Sequence, residues 1–98
     1  MPCNSILIVD DTPHNIRLLF DVLNRAEFVV SVVKSGETAL QKLPQIQPDL
    51  ILLDVMMPGI DGFETCRRIK TNPEYSDIPI IFMTALSESD RIVAGLQL

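Results

Sequence analysis

Four short runs of apolar residues alternate along this chain with longer stretches in which apolar residues recur every three or four positions. The runs cover residues 6–9, 28–33, 50–53 and 78–83. Short runs with few or no polar interruptions are typical of strands that are covered on both faces, as in a parallel sheet. The pattern therefore predicts four strands separated by helices.

The intervening stretches have the spacing and the end signals of helices. Thr12 and Pro13 are typical of an N-cap followed by a first helical residue. The spacing predicts helices from 13 to about 26, from 36 to a limit at Pro44, from 63 to 72, and from 87 onward. Alternating strands and helices favour an α/β fold with a parallel sheet and right-handed crossovers.

Polar side chains follow three of the predicted strands. Asp10 and Asp11 come directly after the first run, Asp54 after the third and Thr84 after the fourth. Because parallel strands point the same way, these residues share one edge of the sheet, where open α/β sheets bind ligands. In a flavodoxin-like strand order, the first and third strands are neighbours. That order places Asp10 and Asp11 across a crevice from Asp54.

Three carboxylates in one crevice do not all stay ionised without help. Either one of them retains a proton or a hard cation neutralises them, and an all-oxygen site suits Mg²⁺ better than zinc. A carboxylate beside Mg²⁺ can attack phosphorus, because the metal neutralises the charge on the transferring phosphoryl group. This predicts an aspartyl phosphate at Asp54, with Thr84 donating to a phosphoryl oxygen. The simpler alternatives are that Asp54 caps a turn and that Thr84 bonds its own backbone.

Composition narrows the class of protein. Ninety-eight residues with 47% hydrophobic content form one domain that buries a core. The net charge of −5 disfavours direct binding to nucleic acid. Cys3, Cys66 and His14 are too few and too widely spaced for a disulfide framework or a zinc site. There is no apolar run of membrane-spanning length and no signal peptide, so we expect a cytoplasmic protein.

Three motifs carry a resemblance to a known family. The segments are LIVDD at 7–11, LLDVMMPGIDG at 52–62 and IPIIFMTA at 78–85. Together they resemble the receiver domain of two-component response regulators, and the likeness runs over the whole chain. The resemblance implies a flavodoxin-like (CheY-like) three-layer α/β sandwich with strand order 2-1-3-4. It also implies a signalling domain, not an enzyme, that takes a phosphoryl group from a histidine kinase or phosphotransfer protein in a phosphorelay.

The resemblance also implies roles for individual residues. Asp54 would be the phosphoacceptor. Asp11 and Asp54 would bind Mg²⁺ directly together with the backbone carbonyl of Met56, and Asp10 would help through water. Thr84 would be the switch residue, whose hydroxyl moves onto the phosphoryl group after transfer.

The family pattern continues beyond the fourth helix. Family members carry a fifth strand, with an aromatic residue and a lysine, and then a fifth helix. The present sequence runs only to Leu98. We therefore expect residues 1–98 to form a C-terminally incomplete receiver domain. An apolar fourth strand without its neighbour is open to pairing, so we also expect self-association through the fourth strand and fourth helix.

Two other functions are open at this stage. Without the family's lysine, the domain could be a binding module that keeps the fold but takes no phosphoryl group. A Mg²⁺-dependent phosphohydrolase with an aspartyl nucleophile would use a similar carboxylate. Such enzymes carry a DxD motif after the first strand, in which one residue separates the two aspartates. Here Asp10 and Asp11 are adjacent.

Overall fold

The computed structural model of the protein describes residues 4–83. Its elements alternate strictly: β1 (Ser5–Val9), α1 (Pro13–Arg25), β2 (Val29–Val33), α2 (Gly36–Ile46), β3 (Leu50–Asp54), α3 (Gly62–Lys70) and β4 (Ile80–Met83). The predicted Thr84 site and the helix predicted from residue 87 lie outside the described residues. Within residues 4–83, no helix has the length and apolar character needed to cross a membrane.

The four strands form one parallel sheet in the order β2-β1-β3-β4. Ile8 pairs with Val32 on one side and Leu52 on the other, and Leu52 pairs with Ile81. This confirms the predicted fold class and strand order. The chain first moves from β1 outward to β2 and then returns past β1 to β3, so the carboxyl ends of β1 and β3 flank the switch point.

The helices cover the two faces of the sheet unequally. The β1-to-β2 connection runs along the sheet in the opposite direction to the next two, so right-handed crossovers put α1 on one face and α2 and α3 on the other. The main core lies on the α2 and α3 side. Its buried members are Leu7, Val9, Val33, Ala39, Leu43, Ile51, Leu53, Met57, Cys66, Ile69, Ile80 and Phe82. On the α1 side, Leu52 and Ile81 are only half-buried.

The end of α2 and the capping of α1 differ from the sequence prediction. Pro44 does not end α2, which continues to Ile46. Proline removes one helical hydrogen bond and crowds the preceding turn, but the N–H of Gln47 still donates to the Leu43 carbonyl at 2.9 Å. Leu43 is buried and Ile46 packs against the core, so tertiary packing retains the last turn.

At the start of α1, Thr12 has the extended backbone of an N-cap, but its side chain makes no capping hydrogen bond. Its N–H instead donates to Asp10 Oδ1 at 2.9 Å. The turn into α1 is therefore fixed by an aspartate at the end of β1, and not by the threonine hydroxyl.

Candidate functional site

Three carboxylates meet at the carboxyl edge of the sheet. Asp10 follows β1, Asp11 comes next, and Asp54 is the last residue of the adjacent strand β3. One oxygen from each can be chosen so that all three lie within 4.8 Å of one another. Asp10 and Asp54 are 1% and 5% exposed, whereas Asp11 is more open to solvent. The parallel strands thus bring together the acidic residues that the sequence had assigned to one edge.

The Asp10 carboxylate is held by protein donors at both oxygens. Oδ1 accepts from the Thr12 N–H at 2.9 Å, and Oδ2 accepts from Asn15 Nδ2 at 3.5 Å. Asn15 lies in α1 and is only 4% exposed. Asn15 was not among the site residues predicted from the sequence. Its one available signal was its position four residues before Leu19, which puts a polar side chain on the inward face of the helix.

The Asp54 carboxyl holds its proton more tightly than an ordinary aspartate does, chiefly because it is buried. Burial, the negative charge of Asp10, a hydrogen bond with Asp10 and the charge of Asp11 together raise the pKa of Asp54 to about 6. The Met56 N–H opposes this rise, because it donates to Asp54 Oδ1 at 3.3 Å and favours the charged form. A neighbouring cation would favour the charged form of Asp54 and so would oppose this rise in pKa.

The loop after Asp54 is compact and returns at once into α3. Gly59 has a φ of 80°, the left-handed conformation that glycine adopts most readily. The Asp61 carboxylate then caps α3 by accepting from the Glu64 N–H at 2.9 Å. A Cβ on Gly62 would collide with the Asp54 carbonyl and lie 2.8 Å from Val55 Cα. Only glycine therefore allows α3 to begin this close to the end of β3.

The donor set fits a hard divalent cation. It consists of carboxylate oxygens at and just after the ends of β1 and β3, and burial together with the charges of Asp10 and Asp11 raises the pKa of Asp54. Bringing carboxylates this close raises the free energy of the ionised form unless positive charge accompanies them. These are the features expected of a Mg²⁺ site made from oxygen ligands.

Comparisons with known proteins agree on one family. A model of the response regulator receiver domain matches residues 6–98. Response regulator PleD of Caulobacter vibrioides is 45% identical over 92 residues, which cover 94% of this chain and 20% of that protein. Transcriptional regulatory protein BaeR of Escherichia coli is 44% identical over 94 residues, which cover 95% of this chain and 38% of that protein.

A solved structure gives the same result. The N-terminal domain of a response regulator receiver protein from Methanoculleus marisnigri superposes with a TM-score of 0.79 at 43% identity, covering 83% of this chain and 66% of that one. The chain thus spans well under half the length of the two curated relatives.

Proposed function

This chain belongs to the response regulator receiver domain family, and from that membership we propose that Asp54 accepts a phosphoryl group from a phosphohistidine of a kinase or phosphotransfer protein. The observation that carries the proposal is the position of Asp54. It ends a buried strand at the switch point of the sheet, beside Asp10 and Asp11, within a family match that covers residues 6–98. The domain acts in two-component signal transduction.

The transfer is a displacement at phosphorus. An Asp54 carboxylate oxygen forms a bond to phosphorus while the phosphorus–nitrogen bond of the phosphohistidine breaks, and the nitrogen keeps the electron pair. Asp54 must be ionised to attack, and with a pKa of about 6 it is largely ionised at neutral pH. Hydrogen bonds to Asp10 from Thr12 and Asn15 hold the second carboxylate in place beside it.

We propose that Mg²⁺ is held by Asp11, Asp54 and the Met56 carbonyl, with Asp10 acting through water. When bound, the ion would supply the positive charge that offsets the phosphoryl oxygens during transfer. The division of roles between the adjacent aspartates is supported by their surroundings. Both oxygens of Asp10 already accept protein hydrogen bonds, whereas Asp11 is open to solvent.

Asp11→Asn is expected to weaken Mg²⁺ binding more than Asp10→Asn. Both substitutions remove one negative charge and keep the side-chain size, so they form a matched pair. Loss at Asp10 should be on the order of ten-fold, as for residues that orient metal ligands, and loss at Asp11 should be greater. Titration of each protein with Mg²⁺ followed by NMR gives the affinities, and the reverse order would exchange the two roles.

The signalling output is also a proposal. Thr84 would be the switch residue that contacts the phosphoryl group after transfer, and the cytoplasm would be the location of the kinase reaction.

A phosphohydrolase would turn over an external phosphate ester, whereas a receiver domain should take up at most one phosphoryl group per Asp54 before the slower hydrolysis of its own aspartyl phosphate. The amount of phosphate released from an external phosphate ester, compared with the amount of protein, separates these two functions. Release of many phosphates per protein indicates a phosphohydrolase, and labelling of at most one site per protein indicates a receiver domain.

We propose self-association through β4 and the helix predicted after it. The proposal is supported within residues 4–83, where β4 pairs only with β3 and the α1-side residues Leu52 and Ile81 are half-buried. Ile81→Lys is expected to shift a concentration-dependent dimer to monomer in light scattering, because it puts a charge on that face. Gln41→Lys, on the exposed side of α2, is the control for added charge. A monomer at every concentration, or equal dimerisation by all three proteins, would contradict the proposal.

A further inference from the structure

The loop between Asp54 and α3 is tied to a different element, the first turn of α2. Glu37 lies in that turn, and its Oε2 accepts from the Ile60 N–H at 3.2 Å. A Cβ built on Gly59 would lie 2.7 Å from the same Oε2. The Glu37 carboxylate therefore lies directly against the turn formed by residues 59 and 60.

A second contact between the same elements is made by backbone. A Cβ on Gly36 would collide with Thr65 Oγ1 and lie 2.8 Å from Ile60 Cγ1. Thr65 is fully buried in α3, and its hydroxyl donates to the Asp61 carbonyl at 2.8 Å. The first turn of α2 thus touches the loop at Ile60 and the helix that follows the loop at Thr65.

The start of α2 is itself well fixed. Ser35 caps the helix, because its Oγ accepts from the Thr38 N–H at 3.1 Å. Glu37 is the second helical residue and so projects from a backbone that is already ordered. A carboxylate placed there can hold the loop at Ile60.

We infer that Glu37 is a positioning residue for the site at Asp54, acting through the loop of residues 55–61. This inference rests on the proposed function, because it assigns Glu37 a part in holding the Met56 backbone for Mg²⁺. This role requires a side chain as long as glutamate that ends in an acceptor for the Ile60 N–H. Glutamine supplies that acceptor without charge, whereas alanine does not.

The test measures loop order and metal affinity separately, in the absence of any phosphodonor. Amide hydrogen exchange of Ile60 and Mg²⁺ titration are followed by NMR in the wild-type protein, Glu37→Ala and Glu37→Gln. Glu74→Ala is the control, because Glu74 is an exposed glutamate in the segment before β4. In Glu37→Ala, the amide hydrogen of Ile60 should exchange faster than in the wild type. Mg²⁺ should bind this variant about ten-fold more weakly, which is the size of loss seen for groups that orient metal ligands. Glu37→Gln and Glu74→Ala should stay close to wild type in both measurements.

Each other result overturns a defined part of the inference. Unchanged Ile60 exchange in Glu37→Ala would mean that the hydrogen bond does not order the loop. Faster exchange with wild-type Mg²⁺ affinity would make the contact structural only, and equal losses in Glu37→Gln and Glu37→Ala would assign the effect to charge. Absence of Mg²⁺ binding by the wild-type protein would instead contradict the proposed metal site, while the exchange data would still report on the loop.

A second variant tests the same contact from the loop side. Gly59→Ala keeps Glu37 but puts a methyl group against its carboxylate at a residue whose φ is 80°. It should weaken Mg²⁺ binding by itself, and the double variant with Glu37→Ala should lose less than the sum of the two single losses, because the collision is then removed. Strictly additive losses would show that the two residues act independently.

Discussion

Asp54→Asn is expected to reduce phosphorylation by a small phosphodonor in the presence of Mg²⁺ to the background level. An amide is a far weaker nucleophile than a carboxylate and a poorer ligand for a hard cation. The substitution keeps the size of the side chain at the end of β3, so the fold should be retained. Intact-protein mass spectrometry measures the phosphorylated fraction, and hydroxylamine distinguishes an acyl phosphate from a phosphoester.

Asp77→Asn is the matched control for this experiment. Asp77 is exposed in the segment that precedes β4, and its substitution removes the same charge. That protein should be labelled at the wild-type rate. Hydroxylamine-labile labelling of Asp54→Asn at an undiminished rate would mean that another residue is the acceptor. Loss of labelling in both variants would mean that removing any one negative charge prevents the reaction.

In the absence of metal, the contribution of Asp54 to stability is expected to fall as the pH rises from 4 to 7. Its pKa rises from 3.8 in the unfolded chain to about 6 in the fold, so the folded protein binds this proton more tightly. The stabilisation is fully present below pH 4 and is lost as the pH passes through 6. The loss is on the order of 2 kcal/mol in the free energy of unfolding.

The difference between wild type and Asp54→Asn isolates this contribution. Both proteins share their other titratable groups, and asparagine does not titrate. In EDTA, denaturant unfolding should show Asp54→Asn gaining stability relative to wild type as the pH rises from 4 to 7. Saturating Mg²⁺ should then stabilise the wild type at pH 7 much more than the variant, since the ion binds only the folded, ionised cluster. A difference that stays constant with pH would refute the raised pKa.

The general plan of the fold was predictable because it depends on local pattern. Short apolar runs identify strands buried on both faces, and parallel strands carry the acids that follow them to the same edge. That reasoning correctly placed Asp10, Asp11 and Asp54 together. The strand order did not follow from local pattern and was predicted from the family resemblance.

The contacts that support the site were not predictable, because they join residues that are distant in sequence or depend on packing. Glu37 meets Ile60 only after α2 and α3 pack side by side. Asn15 has no distinguishing signal in the sequence beyond its helical spacing, because its contact with Asp10 forms only when α1 packs beside the end of β1. Pro44 has a strong local tendency to end a helix, but the burial of Leu43 and Ile46 overrides it.

The absence of a side chain at Gly62 has a mechanical consequence. Because α3 starts in near contact with the Asp54 carbonyl, the loop of residues 55–61 leads the chain back to the end of the strand. The Gly62 N–H also donates to the Val55 carbonyl at 3.0 Å, which closes the loop on itself. The end of β3 and the start of α3 are therefore in direct contact, and we expect a shift of the Asp54 backbone to displace the start of α3. The next residue, Phe63, is 56% exposed and its ring centroid lies 4.9 Å from that of Phe82, so such a displacement would also reach β4.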